Sequence, residues 1–208
     1  MKTFIKPLLL TVFIQNAYAN NLTDYLEHTS LKDMLETDYL FDINNQDYQQ
    51  AKDTLWQKFK LEAQNLPRKK EHEQMSLNFA DKKMLFGKRL KDGALANKPM
   101  YIALHGGGQT APRVNDSQWE HMKIYYLDSV RQGIYVATRG ISNNWNLHFE
   151  NESYPLYDKL IENMVVYEGV DPNRVYLTGF SAGGDGVYQI TARMNDRFAA
   201  TNMSAGHH

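Results

Sequence analysis

Residues 175–184 read Val-Tyr-Leu-Thr-Gly-Phe-Ser-Ala-Gly-Gly (VYLTGFSAGG), and the reading of this stretch decides the fold. VYLT has the branched and aromatic content of a strand. Gly179-Phe180-Ser181-Ala182-Gly183 fits G-x-S-x-G, where a serine sits on a sharp turn from strand to helix. The reason for the spacing is steric. The serine backbone is strained, and side chains two residues away on either side would clash, so both positions are glycine. The turn lifts Ser181 Oγ above a sheet. The following helix, expected from Ala182 to about Asn195, points its free N–H groups at developing negative charge. The five-residue pattern alone is weak. A strand before it and a helix after it supply the context it requires.

Upstream, Met100 to Leu104 (MYIAL) reads as a strand that ends at His105-Gly106-Gly107-Gly108. This fits an HGGG-type loop, whose glycines let backbone N–H groups face a carbonyl oxygen unobstructed. Gly107 and Ala182 are the expected oxyanion donors. The plainer alternative for the loop is a phosphate-cradling or flexible turn. Its pairing with the serine turn, in this order, favours the catalytic reading.

The surrounding texture agrees. Met75–Ala80 and Lys83–Lys88 alternate as a hairpin around Asp81-Lys82. Gln118–Leu127 reads as a helix and Gly133–Thr138 (GIYVAT) as a strand. Leu156, Leu160, Met164 and Tyr167 recur at helical spacing, Asp171-Pro172-Asn173 reads as a turn, and Ala199–Ser204 begins one more strand. Strands alternating with helices predict a mostly parallel sheet with helices on both faces, edged by the antiparallel hairpin.

Residues 20–70 differ: they are polar and helical, with a helix start at Ser30 and an apolar stripe at Tyr48, Ala51, Leu55, Phe59 and Leu66, widened by Trp56. Pro67 and Arg68-Lys69-Lys70 are expected to end this segment as a solvated turn. An extension over 20–70 and a main domain over 71–208 follow. At the start of the chain, Lys2 and Lys6 flank Pro7–Ile14 (PLLLTVFI), and Ala17-Tyr18-Ala19 has the small-x-small pattern of a cleavage site. This reads as a secretory signal peptide over 1–19, cleaved after Ala19. Its apolar run is far short of the ~20 residues needed to span a bilayer. The expected location is secreted or periplasmic.

Composition narrows the function. The 208 residues carry 23 Lys plus Arg and 24 Asp plus Glu, a net charge of −1. That balance gives no basic footprint for nucleic acid. Without cysteine there is no disulfide framework, thiolate metal site or thiol nucleophile. The seven histidines show no convincing metal spacing, so neither metal nor cofactor is expected. His105 reads as shaping the glycine loop. His148 is read as lining the pocket or packing the loop, and His28, His72 and His121 as surface residues. Asp185 is read as structural, and Trp145 and Tyr154 as an acyl-pocket wall or as packing.

The segments YIALHGGG, ATRGISNNWNLHF, SYPLYDKLIENM, VDPNRVYLTGFSAGGDGVY and RFAATNMSAGH together resemble the α/β-hydrolase superfamily. They are similar to bacterial esterase branches that include polyhydroxybutyrate-depolymerase-like and dienelactone-hydrolase-like proteins. The resemblance covers residues 75–208. It implies a serine esterase acting on a small-molecule or polymeric ester through an acyl-enzyme on Ser181. It also implies an Asp or Glu and then a His later in the chain, which places the acid and base beyond residue 208 and marks the sequence as a fragment or truncated product. His207 and His208, at the same sheet edge, are the available stand-ins. A non-catalytic remnant or binding protein keeping the fold, and a serine peptidase, stand as alternatives.

Overall fold

The computed structural model describes residues 22–36, 44–64, 66–91 and 97–207. The expected signal peptide and His208 lie outside the described residues. The chain divides into two compact units between Asn65 and Leu66, against the division at 70/71 read from the sequence.

The first unit is helical: α1 (Leu22–His28), α2 (Leu31–Leu35) and α3 (Asn45–Ala63). Ser30 caps α2 by accepting the Asp33 N–H at 3.1 Å, as its sequence position suggested. Asn44 and Asp47 form a reciprocal capping box that starts α3. Lys58 Nζ donates to the carbonyls of Glu27 and Thr29, each at 2.9 Å. It thereby neutralises the negative end of α1.

The second unit opens with α4 (Pro67–Glu73). Pro67 starts this helix instead of ending the segment, because proline has no N–H to lose at a first helical position. The basic run is therefore helical and not a turn. Arg68 donates to Asn163 Oδ1 and Glu162 Oε2, both at 2.7 Å, on α6 (Ser153–Glu168). His72, expected at the surface, is buried. Its Nε2 lies 2.7 Å from Glu168 Oε1, and its ring packs between Phe86 and Tyr167. Lys88 pairs with the same carboxylate.

Six strands follow: β1 (Ser76–Phe79), β2 (Lys82–Lys91), β3 (Lys98–Leu104), β4 (Gly133–Thr138), β5 (Val170–Phe180) and β6 (Ala200–Ser204). Their spatial order is β1-β2-β4-β3-β5-β6. The β1–β2 and β2–β4 pairings are antiparallel. Those of β3 with β4, β3 with β5, and β5 with β6 are parallel. The expected turn at Asp171–Asn173 is an irregularity inside β5. Val170 pairs with Lys98, and regular register resumes at Val175 opposite Met100.

Strand alternation sends Ile102, Val136 and Leu177 to one face, under Leu156, Leu160 and Met164 of α6 and Val187 and Ile190 of α7 (Ala182–Arg193). Ala103, Tyr135 and Ala137 go to the other face, under Met122 of α5 (Pro112–Tyr125). Helices thus cover both faces. Gly169, at φ 69°, ends α6 in the left-handed conformation and returns the chain to the sheet.

Candidate active site

Ser181 stands between β5 and α7 with φ 55° and ψ −123°. This is a sparsely populated backbone state for a residue with a side chain. The chain around it holds the strain in place. Ser181 N–H donates to Ser204 O at 2.9 Å, and Ser181 O accepts the Asp185 N–H at 3.1 Å. Both flanking glycines are sterically required. A Cβ at Gly179 would overlap the Gly183 carbonyl, and one at Gly183 would lie 2.8 Å from His105 O and closer still to Leu104 O. All these neighbours are backbone and cannot move aside. The second clash also shows how tightly α7 seats on the end of β3.

The glycine loop lies against this turn. A Cβ at Gly106 would stand 3.3 Å from Ser181 Cβ and 3.3 Å from Phe180 O. Gly107 and Gly108 have φ of 107° and 83°, open to glycine alone at little cost. The structure therefore brings Ser181, Ala182 and Gly107 to one end of the sheet, at the C-terminal ends of β3 and β5.

His105 supports the loop from below. It is fully buried. Its Nε2 accepts the Gly140 N–H at 3.1 Å, so the proton sits on Nδ1, 2.6 Å from Gly106 O. Burial pushes its pKa down to about 4, and the ring is neutral at pH 7. His148 is also fully buried. Its Nε2 donates to His105 O at 2.9 Å and its Nδ1 faces Tyr157 Oη at 3.4 Å. Burial, and then the neighbouring His105, hold it well below the usual histidine value. His148 packs the loop and lines no pocket. Neither ring has a nitrogen to offer a substrate.

Asp185, in the first turn of α7, is buried and accepts the His207 N–H. The His207 ring is largely exposed, with Nδ1 3.5 Å from the same carboxylate oxygen. Trp145 is 42% exposed and close to the loop: a Cβ at Gly108 would stand 3.2 Å from its Cα. Tyr154 is packed against the core with its ring under Arg193.

One group escaped the sequence reading. Asn115, on α5 and fully buried, accepts the Gly108 N–H at 2.9 Å through Oδ1. Its Nδ2 donates to Asn143 Oδ1 at 3.0 Å. That oxygen also accepts from Arg139 Nη2 at 2.6 Å. Arg139 in turn donates to Asp116 Oδ1 at 2.9 Å, Gly140 O at 2.8 Å and Ser142 O at 2.9 Å. No sequence signal marked Asn115 among the polar residues of RVNDSQW.

No family model matches the chain. A poly(3-hydroxyalkanoate) depolymerase C from Paucimonas lemoignei is 30% identical over 134 residues, which are 57% of this chain and 30% of that protein. The chain thus spans under a third of the length of the curated relative it matches. The fold is mixed α/β, a mostly parallel sheet with helices on both faces. Solved structures similar to this chain include a thermostable esterase (TM-score 0.47, 20% identity, 64% of this chain and 41% of that one). Another is a poly(3-hydroxybutyrate) depolymerase from Bordetella parapertussis (TM-score 0.46, 20% identity, 60% and 46%). An acetyl xylan esterase from Aspergillus awamori is a third (TM-score 0.43, 16% identity, 60% and 48%). Among the described residues, no helix is long and apolar enough to cross a membrane.

Proposed function

We propose that this chain carries the nucleophile and oxyanion site of an exported serine hydrolase acting on carboxylic esters. The observation that carries the reading is the strained Ser181, at φ 55°, between two glycines that admit no side chain. Strain of this kind clusters at reactive sites. Ser181 Oγ attacks the ester carbonyl. The Gly107 and Ala182 N–H groups hold the resulting oxyanion, each donor contributing about a hundredfold or more in rate. The alcohol leaves, and water then releases the acid from the acyl-enzyme.

None of the three buried histidines is assigned as the base. His105 and His148 are engaged at both nitrogens, and His72 is paired with Glu168. The similarity to a poly(3-hydroxyalkanoate) depolymerase supports a polyester or a small ester as the substrate class.

The test is labelling with a fluorophosphonate probe, with the modified residue located by peptide mass spectrometry. The expected result is one label per chain at Ser181, absent from Ser181→Ala. A folded chain that takes no label at Ser181 would support the other reading, a non-catalytic protein keeping the hydrolase fold.

A further inference from the structure

We propose that Asn115 is a positioning residue for the oxyanion loop, with its polarity dictated by Arg139 through Asn143. The inference rests on the reading above, in which Gly107 N–H receives the oxyanion.

A trans peptide holds its C=O and N–H antiparallel, so fixing one end aims the other. The peptide between Gly106 and Gly107 is fixed by His105, whose Nδ1–H draws in Gly106 O at 2.6 Å. The Gly107 N–H is therefore turned away from the imidazole. The next peptide, between Gly107 and Gly108, is fixed by Asn115, whose Oδ1 draws in Gly108 N–H at 2.9 Å. The two peptides flanking Gly107 are held independently, from β3 and from α5. Together they set its φ of 107°. Asn115 Oδ1 also occupies the space a Gly107 Cβ would need, so the amide is packed against the loop as well as bonded to it.

An asparagine amide is nearly symmetric in shape, and turning it over would present donors to Gly108 N–H and release the peptide. Arg139 prevents this. A guanidinium only donates, so the Asn143 atom facing Nη2 at 2.6 Å must be oxygen. That same oxygen demands a donor from Asn115, met by Nδ2 at 3.0 Å. Oδ1 is thus left facing Gly108. The chain Arg139, Asn143, Asn115, Gly108 has one direction throughout. Its members are 8% exposed or less at Arg139 and Asn115, where water cannot substitute for a lost partner.

Two readouts test this on the full chain. The first is native-state hydrogen exchange of the Gly108 amide by NMR, referred to amides of β3 and β5. The second is saturation kinetics of fluorophosphonate labelling at Ser181, resolved into the maximal rate and the half-saturating concentration. In Asn115→Ala, Gly108 exchange should accelerate at least tenfold while the strand amides keep their protection. The maximal labelling rate should fall about a hundredfold, with half-saturation unchanged. Asn143→Ala, at a half-buried loop position, keeps the test alive if Asn115→Ala does not fold, and should slow labelling about tenfold.

Unchanged Gly108 exchange and an unchanged maximal rate in either alanine variant would overturn the proposal. So would a loss confined to half-saturation. If the parent chain is not labelled at Ser181, the catalytic reading fails by itself, and Gly108 exchange still decides whether Asn115 clamps the loop.

Discussion

Replacing Ser181 by glycine should make this protein more stable, although it removes the proposed nucleophile. Ser181 holds φ 55° and ψ −123°, a conformation that costs a residue with a side chain about 1–3 kcal/mol. Glycine adopts it nearly freely. Against that gain stands the greater freedom of glycine in the unfolded chain, about 0.4–1 kcal/mol. The proper reference is Ser181→Ala, which also lacks Oγ but keeps the Cβ and the strain. The two backbone hydrogen bonds at this residue, to Ser204 O and from Asp185 N–H, survive in both variants. Glycine should therefore exceed alanine by about 1.3 kcal/mol, the difference between the middles of those two ranges. For a chain of this size that corresponds to about 3–5 °C in midpoint. Urea titration and thermal scans of the two variants side by side would measure it. A glycine variant equal to or less stable than the alanine variant would refute the claim that the turn stores strain at the serine.

Further expectations follow from the same geometry. Gly183→Ala should destabilise by at least about 3 kcal/mol, the upper range for overpacking, because its Cβ would meet the backbone of Leu104 and His105; urea midpoints would record it. Leu160→Ala, under the sheet and fully buried, should cost about 2–5 kcal/mol in the same assay. Stability should fall on mild acidification. His105 has its pKa depressed to about 4 from an unfolded value of 6.5. Its contribution is complete above pH 6.5 and is lost as pH falls toward 4, amounting to about 3 kcal/mol for that shift. His148, depressed in the same direction, adds to the loss. His105→Gln, with no group that titrates in this range, should flatten the pH dependence of urea midpoints between pH 7 and 4. An unaltered slope would contradict the neutral, doubly bonded ring.

The serine turn was legible in the sequence because its causes are local. Gly179 and Gly183 are dictated by contacts within a few residues and with the adjoining strand end, and GIYVAT spans the strand it forms, Gly133–Thr138. Pro67 was ambiguous for a physical reason. A residue lacking an N–H suits both the first turn of a helix and the end of one, and only Glu162 and Asn163, nearly a hundred residues away, decide between them. His72 followed Pro67: once α4 lies along α6, the ring must be buried. Asn115 was invisible for the same reason. Nothing in RVNDSQW marks one polar residue among several as the one turned inward. Its partners Gly108 and Asn143 meet it only after β3, α5 and the loop beyond β4 have come together.

The bond from Ser181 N–H to Ser204 O makes the serine's posture depend on β6, which is at the edge of the described sheet. A Cβ at Gly184 would likewise meet Ser204 O and the Gly206 backbone, so the start of α7 rests on the end of that strand. Reactivity at Ser181 is therefore a gauge of whether β6 is docked. A variant that undocks β6 would lose capture of the probe while keeping its helical content.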